Sequence, residues 1–217
     1  MRLNKLSPSQ KVRGRWLLYL EDGSILRVGE AEVASFGLYA GMDLTAETLE
    51  ALRAAQRRSA LREKALRALE LRPLSRKELV DKLTARPRKR ESGEQEEPPD
   101  RETAQAVADW LEELGYLNDE EYAKSVVRHY SAKGYGARRL RDELCRRGVP
   151  REFWEEALAE AEESDECIDA FLAKKLRGTE PGDRKALKRA SDALARRGYS
   201  WSEIRDALAR YGMEPEE

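Results

Sequence analysis

Residues 140–158 read LRDELCRRGVPREFWEEAL, and 50 residues further on, residues 190–208 read ASDALARRGYSWSEIRDAL. The two stretches align without a gap. Leu144 falls on Leu194, Arg146-Arg147 on Arg196-Arg197, Gly148 on Gly198, Trp154 on Ile204, Ala157 on Ala207 and Leu158 on Leu208. Each reads as a helix with apolar residues four apart, a glycine corner, and a second helix that resumes the apolar spacing. A fainter copy lies upstream, where Leu79 and Leu83 match Leu140 and Leu144, and Val107, Trp110 and Leu111 match Trp154, Ala157 and Leu158. Its glycine corner is replaced by a charged insertion over about 86–100. Self-similarity at this period marks tandem units that bury their apolar faces on one another and offer an extended surface more than a pocket.

Outward from this repeat, 59–117, 118–163 and 164–217 read as three successive three-helix units, the first carrying the insertion. Ser75 with Glu78 and Ser200 with Glu203 are capping boxes. Asn118, followed by Asp119, Glu120 and Glu121, opens another helix, and Gly115 is placed to close the one before it. Residues 1–58 differ. Trp16, Leu18 and Leu20 alternate with Arg15, Leu17 and Tyr19, Asp22-Gly23 supplies a tight turn, and 24–28 resumes an extended pattern. These features predict a β-hairpin covered by helices over 30–36 and 45–57. The expected fold is therefore mainly all-α: tandem three-helix repeats in an elongated curved array, behind a small N-terminal α/β module. Two helices per repeat, as in other helical interaction folds, do not fit this grouping.

Charged residues make up 38% of the 217, aromatics 7%, and the formal net charge is −1. The near balance conceals segregation. Residues 133–151 hold the basic Lys133, Arg138, Arg139, Arg141, Arg146, Arg147 and Arg151 against Asp142 and Glu143. Residues 172–197 add nine basic residues, among them Lys174, Lys175, Lys185, Lys188, Arg189, Arg196 and Arg197, against three acidic ones. Such patches, more than net charge, decide whether a polyanion is a partner. A solvated face with pairs such as Arg139–Glu143 and Arg138–Asp142 is the plainer alternative. The local excess exceeds what pairing neutralises, and the Arg-Arg-Gly corner recurs in two units, so these residues are the candidate contacts. Core packing is the favoured role of Trp154, and of Trp201 as well; the alternative for Trp201, one past a helix cap, is an exposed ring that stacks on or anchors a partner.

Little else could carry chemistry. His129 is the one histidine, and Cys145 and Cys167 have neither C-x-x-C spacing nor histidine company. They read as small apolar residues in helices. Neither a phosphate loop nor a dinucleotide fingerprint occurs. No catalytic residue, metal or cofactor is expected. No apolar run approaches membrane-spanning length, and a cytoplasmic monomer is expected.

One family carries these residues in this order. The segments are Ala65-Leu66-Arg67-Ala68-Leu69, Leu74-Ser75-Arg76-Lys77-Glu78-Leu79, Leu114-Gly115-Tyr116-Leu117-Asn118-Asp119-Glu120-Glu121-Tyr122-Ala123, Gly134-Tyr135-Gly136-Ala137-Arg138-Arg139-Leu140 and Arg196-Arg197-Gly198-Tyr199-Ser200. Across residues 60–212 the chain resembles the RecX family, bacterial regulators of the RecA recombinase. The resemblance implies a protein that lies in the groove of the RecA–single-stranded DNA filament and limits its extension, ATPase and strand exchange. It also implies some weak binding of DNA, single-stranded and then double-stranded, and a place in homologous recombination and the SOS response. The insertion and the N-terminal hairpin depart from the usual family pattern. The competing readings are a sequence-independent DNA-binding protein that acts without RecA, and a helical adaptor for acidic proteins.

Overall fold

The computed structural model describes residues 1–86, 99–161, 164–178 and 183–210. Among these it places three strands and ten α-helices. All but the ends of the charged insertion over 86–100 lies outside the described residues. The chain divides into two units, 1–72 with 80–111, and 73–79 with 112–217.

The first unit opens with strands β1 (Leu3–Pro8), β2 (Arg15–Leu20) and β3 (Ile25–Gly29), paired antiparallel in the order β1-β2-β3. The predicted hairpin is β2–β3, turned at Gly23 with φ +80°, where the Asp22 carboxylate accepts the Ser24 N–H at 2.9 Å. Strand β1 is an addition to the sequence reading. Its register shifts between Leu3 and Lys5, and only Leu3 is buried along it, so it lacks the period-two signal a strand usually shows. Leu3, Leu18, Leu20, Leu26 and Val28 face a common core with Leu49 and Leu52 of the long helix that follows. Each such leucine contributes about 1.5–3 kcal/mol by burial, which gives this small sheet the cover it needs.

The short helix α1 (Glu30–Ser35) leads to α2 (Ala46–Leu71), capped by Thr45, whose hydroxyl accepts the Thr48 N–H. Helix α2 runs unbroken through 58 and 59, so two stretches that read separately in sequence are one helix. Pro73 follows its end, as expected. The same unit holds most of α4 (Arg101–Glu113), where the Arg62 guanidinium lies 4.4 Å from the Trp110 ring centroid. Helix α3 (Arg76–Thr84) bridges the two units in sequence and opens with the predicted capping box: Ser75 Oγ accepts the Glu78 N–H at 3.0 Å, and Glu78 accepts the Ser75 N–H at 3.3 Å.

In the second unit, α5 (Asp119–Ser131), α6 (Ala137–Arg146) and α7 (Trp154–Ala159) enclose Tyr122, Ala123, Val126, Val127, Leu140, Leu144, Val149 and Ala157. Helices α8 (Ser164–Lys175), α9 (Arg184–Arg197) and α10 (Trp201–Arg210) enclose Ile168, Leu172, Leu176, Ala190, Leu194, Tyr199, Ile204, Ala207 and Leu208. The repeat is thus a repeat of buried positions: Leu144 with Leu194, Val149 with Tyr199, Ala157 with Ala207. Gly148 and Gly198 turn each corner with φ +67° and +94°, the left-handed geometry that favours glycine.

Candidate nucleic-acid and protein interface

The Arg-Arg-Gly corners are joints before they are anything else. The carbonyls of Arg197 and Gly198, at the end of α9, accept the backbone N–H groups of Gly136 and Arg138, at the start of α6, at 3.0 and 3.1 Å. One step earlier, the Arg147 carbonyl at the end of α6 accepts the Ser75 hydroxyl at the start of α3. The C-terminus of each helix therefore meets the N-terminus of its counterpart in the preceding unit. At the α9–α6 joint unfilled carbonyls satisfy unfilled amides, at the α6–α3 joint a side-chain hydroxyl is the donor, and at both the helix dipoles run in favourable sequence.

This arrangement splits each arginine pair. Arg147 turns inward, with 19% of its side chain exposed. Its Nη1 donates to the Tyr122 hydroxyl at 2.6 Å, its Nη2 donates to Tyr130 at 3.3 Å, and Glu78 and Glu143 lie 3.8 and 3.7 Å away. The Tyr122 hydroxyl in turn donates to Glu78 at 2.7 Å. Burial, followed by that hydrogen bond to a carboxylate, pushes the Tyr122 phenol above its usual range. Arg197 also turns inward. It donates to the Gly134 carbonyl at 3.3 Å and stacks 4.5 Å from the Phe171 ring centroid. Of the four corner arginines expected as contacts, only Arg146 and Arg196 are exposed.

Glu143 is buried among Arg139, Arg146 and Arg147, at 3.4, 2.5 and 3.7 Å. The expected Arg139–Glu143 pair forms. The expected Arg138–Asp142 pair is not found among the described residues. Arg141 reaches only Glu155, at 3.5 Å, and Lys133 is 2.7 Å from His129 Nε2. Lys174 and Lys175 are exposed in the last turn of α8. On α9, Lys185, Lys188, Arg189 and Arg196 are all exposed, and their spacing sets them on one face opposite Ala190 and Leu194. None of these α9 cations, nor Arg138, makes an ion pair among the described residues. The open positive surface is therefore Arg138 and Arg141 on α6 and the α9 stripe.

Three side chains depart from their sequence reading. Trp201 is exposed at 56% rather than packed in the core, while its neighbour Tyr199 is the buried aromatic. Trp154, by contrast, packs against the α5–α7 core as expected, half-buried and donating to the Val149 carbonyl at 3.0 Å. Cys145 is exposed on the same helical face as Arg138 and Arg141. Sequence spacing assigns Asp119 to the capping of its own helix, in whose first turn it lies. It accepts the Arg76 N–H at 2.7 Å instead and so caps α3; burial raises its carboxyl pKa. Spacing within α5 cannot reveal a partner more than forty residues away. Among the described residues no group of three or more His, Cys, Asp or Glu is placed to hold a metal ion, and no helix is long and apolar enough to cross a membrane.

A family model described as RecX, second three-helix domain, matches residues 118–158, and one described as RecX, third three-helix domain, matches residues 161–208. The chain is 39% identical over 107 residues to the Regulatory protein RecX of Vibrio parahaemolyticus, an alignment spanning 48% of this chain and 68% of that one. It is 36% identical over 142 residues to the Regulatory protein RecX of Xanthomonas citri, spanning 64% and 80%. Of solved structures, it is similar to a crystal structure of regulatory protein RecX, with a TM-score of 0.72 and 22% identity over 94% of this chain and 98% of that one. It is also similar to that of RecX from Lactobacillus salivarius, with a TM-score of 0.58 and 22% identity over 71% and 96%. At those identities the two structures speak for the fold, and the sequence relatives speak for the family. Repeated corners, matched buried positions and aligned relatives agree: the chain belongs to the RecX family of regulatory proteins.

Proposed function

We propose that this chain is a negative regulator of the RecA recombinase. In this reading it lies in the groove of the RecA–single-stranded DNA filament and limits extension, ATPase and strand exchange. It acts by binding, as a cytoplasmic monomer, with no cofactor and no catalysis of its own. The observation that carries the proposal is the open cationic surface, Lys185, Lys188, Arg189 and Arg196 on α9 with Arg138 and Arg141 on α6. A filament of protein on DNA presents a dense array of fixed negative charge. Of these, Arg138 and the four α9 cations meet such a partner without first breaking an ion pair among the described residues, and Arg141 gives up only its 3.5 Å contact with the exposed Glu155.

The test is co-sedimentation with preassembled RecA filaments, beside binding to the same single strand without RecA. The proposal predicts retention on the filament at salt concentrations that release the chain from bare DNA. Equal retention on both would favour a DNA-binding protein that acts without RecA.

A further inference from the structure

The joint between α6 and α9 leaves a shallow depression of about 370 Å³, lined by Arg138, Arg141, Tyr199, Ser200, Trp201 and Glu203 among others. Trp201 is the residue there that the fold does not explain. It opens α10, whose cap is supplied by its neighbours: Ser200 Oγ accepts the Glu203 N–H at 3.3 Å, and Glu203 accepts the Ser200 N–H at 2.7 Å. In the preceding unit the matching position is Arg151, which is also exposed. The repeat therefore needs no apolar side chain at this place, yet a large indole stands in solvent at a depression that Arg138 and Arg141 also line. Arg138 makes no ion pair among the described residues, and the Arg141 partner, Glu155, is itself 81% exposed.

We propose that this depression is a subsite for single-stranded nucleic acid, in which one base stacks on the Trp201 indole and the flanking phosphates are held by Arg138 and Arg141. The inference rests on the reading that the basic surface meets the DNA of the filament, and it names the part of that surface which contacts a base. A flat aromatic face accepts any base, which suits a regulator that must act at any sequence. A duplex keeps its bases stacked on one another, so the indole distinguishes a single strand from a double one. Glu203, the one carboxylate lining the depression, already accepts the Ser200 N–H, which moderates its repulsion of a phosphate. The exposed Glu155, outside the lining, is only 3.5 Å from Arg141 and would have to release it. An acidic peptide would use the arginines but would gain less from the flat ring.

The test uses the full chain and a fluorescent oligothymidylate, followed by anisotropy, with a matched strand of abasic sites. The unaltered protein is expected to prefer the thymidylate to the abasic strand by about tenfold. Trp201→Ala is expected to abolish that preference, Trp201→Phe to keep most of it, and Arg138→Gln with Arg141→Gln to weaken both strands alike. All variants are expected to melt with the parent. Equal binding of the two strands by the parent protein, unchanged preference in Trp201→Ala, or tighter binding of polyglutamate than of the oligothymidylate would overturn the inference. None of these readouts contains RecA. A chain that shows the base preference yet leaves RecA unaffected contradicts the regulatory reading alone.

Discussion

Gly136 and Gly198 meet backbone against backbone: a Cβ on Gly136 would stand 2.7 Å from both the carbonyl carbon and the oxygen of Gly198. That approach lets the Arg197 carbonyl accept the Gly136 N–H at 3.0 Å and seats the end of α9 on the start of α6. A Cβ on Gly198 would collide with the backbone nitrogen of Arg139, and its φ of +94° is unfavourable for any other residue.

Gly198→Ala should therefore lower stability by about 2 kcal/mol, read as a fall of roughly 4–8 °C in Tm. Gly148→Ala should cost less, because the neighbour it meets is the side chain of Lys77, which moves more readily than backbone. Thermal melting followed by circular dichroism ranks the two, and an equal or reversed order would contradict the joint as described.

Arg146 and Arg147 are adjacent in sequence and should behave differently. Arg147→Gln leaves Glu143 buried with one fewer cation and removes the donor to Tyr122, so a loss of about 2 kcal/mol is expected. Arg146→Gln also takes a cation from Glu143, but its side chain is 66% exposed and water can replace it, while the Tyr122, Tyr130 and Glu78 contacts of Arg147 stay intact, so a smaller loss than that of Arg147→Gln is expected. Urea denaturation of the two variants measures the difference.

Charge reversal on the α9 face, Lys188→Glu with Arg196→Glu, should weaken binding to single-stranded DNA and to RecA filaments by about tenfold or more without shifting Tm. Binding by the parent should fall steeply between roughly 50 and 200 mM salt, and the variant should show a shallower slope. A flat salt response in the parent would point to a partner recognised without phosphate contacts.

Alkaline pH should loosen the α8–α10 core through Tyr199. Burial pushes its phenol up to about 12, from 10.0. The folded state thus holds the proton more tightly than the unfolded chain does. The stability this represents is complete below pH 10 and is lost as pH rises toward 12. Tyr199→Phe, which cannot ionise, should flatten the fall in stability over that window, as read by melting at stepped pH.

Sequence periodicity carried most of the helical fold, because Leu144 and Leu194 or Ala157 and Ala207 are buried by the same local spacing that makes them visible. Capping at Ser75, Asn118 and Ser200 was legible for the same reason. What could not be read was pairing at long range. Strand β1 depends on its register with β2, Asp119 caps a helix other than its own, and Arg147 is drawn inward by Glu78, Tyr122 and Tyr130, which spacing around residue 147 does not disclose. The candidate surface was legible as an excess of charge. Its division into joint arginines and open arginines was not, since the two classes sit side by side in the same dipeptide. Trp201 illustrates the converse: composition favours burial of an indole, but Tyr199 already fills the core position beside it.

Restraint of RecA through the open cations, as proposed for this chain, is read most directly by titrating the chain into RecA turning over ATP on single-stranded DNA. A dose-dependent fall in ATP hydrolysis is expected for the unaltered chain, and a fall displaced to about tenfold higher concentration for Lys188→Glu with Arg196→Glu. Hydrolysis that continues unchanged in the presence of folded chain, or inhibition equal in both proteins, would contradict it.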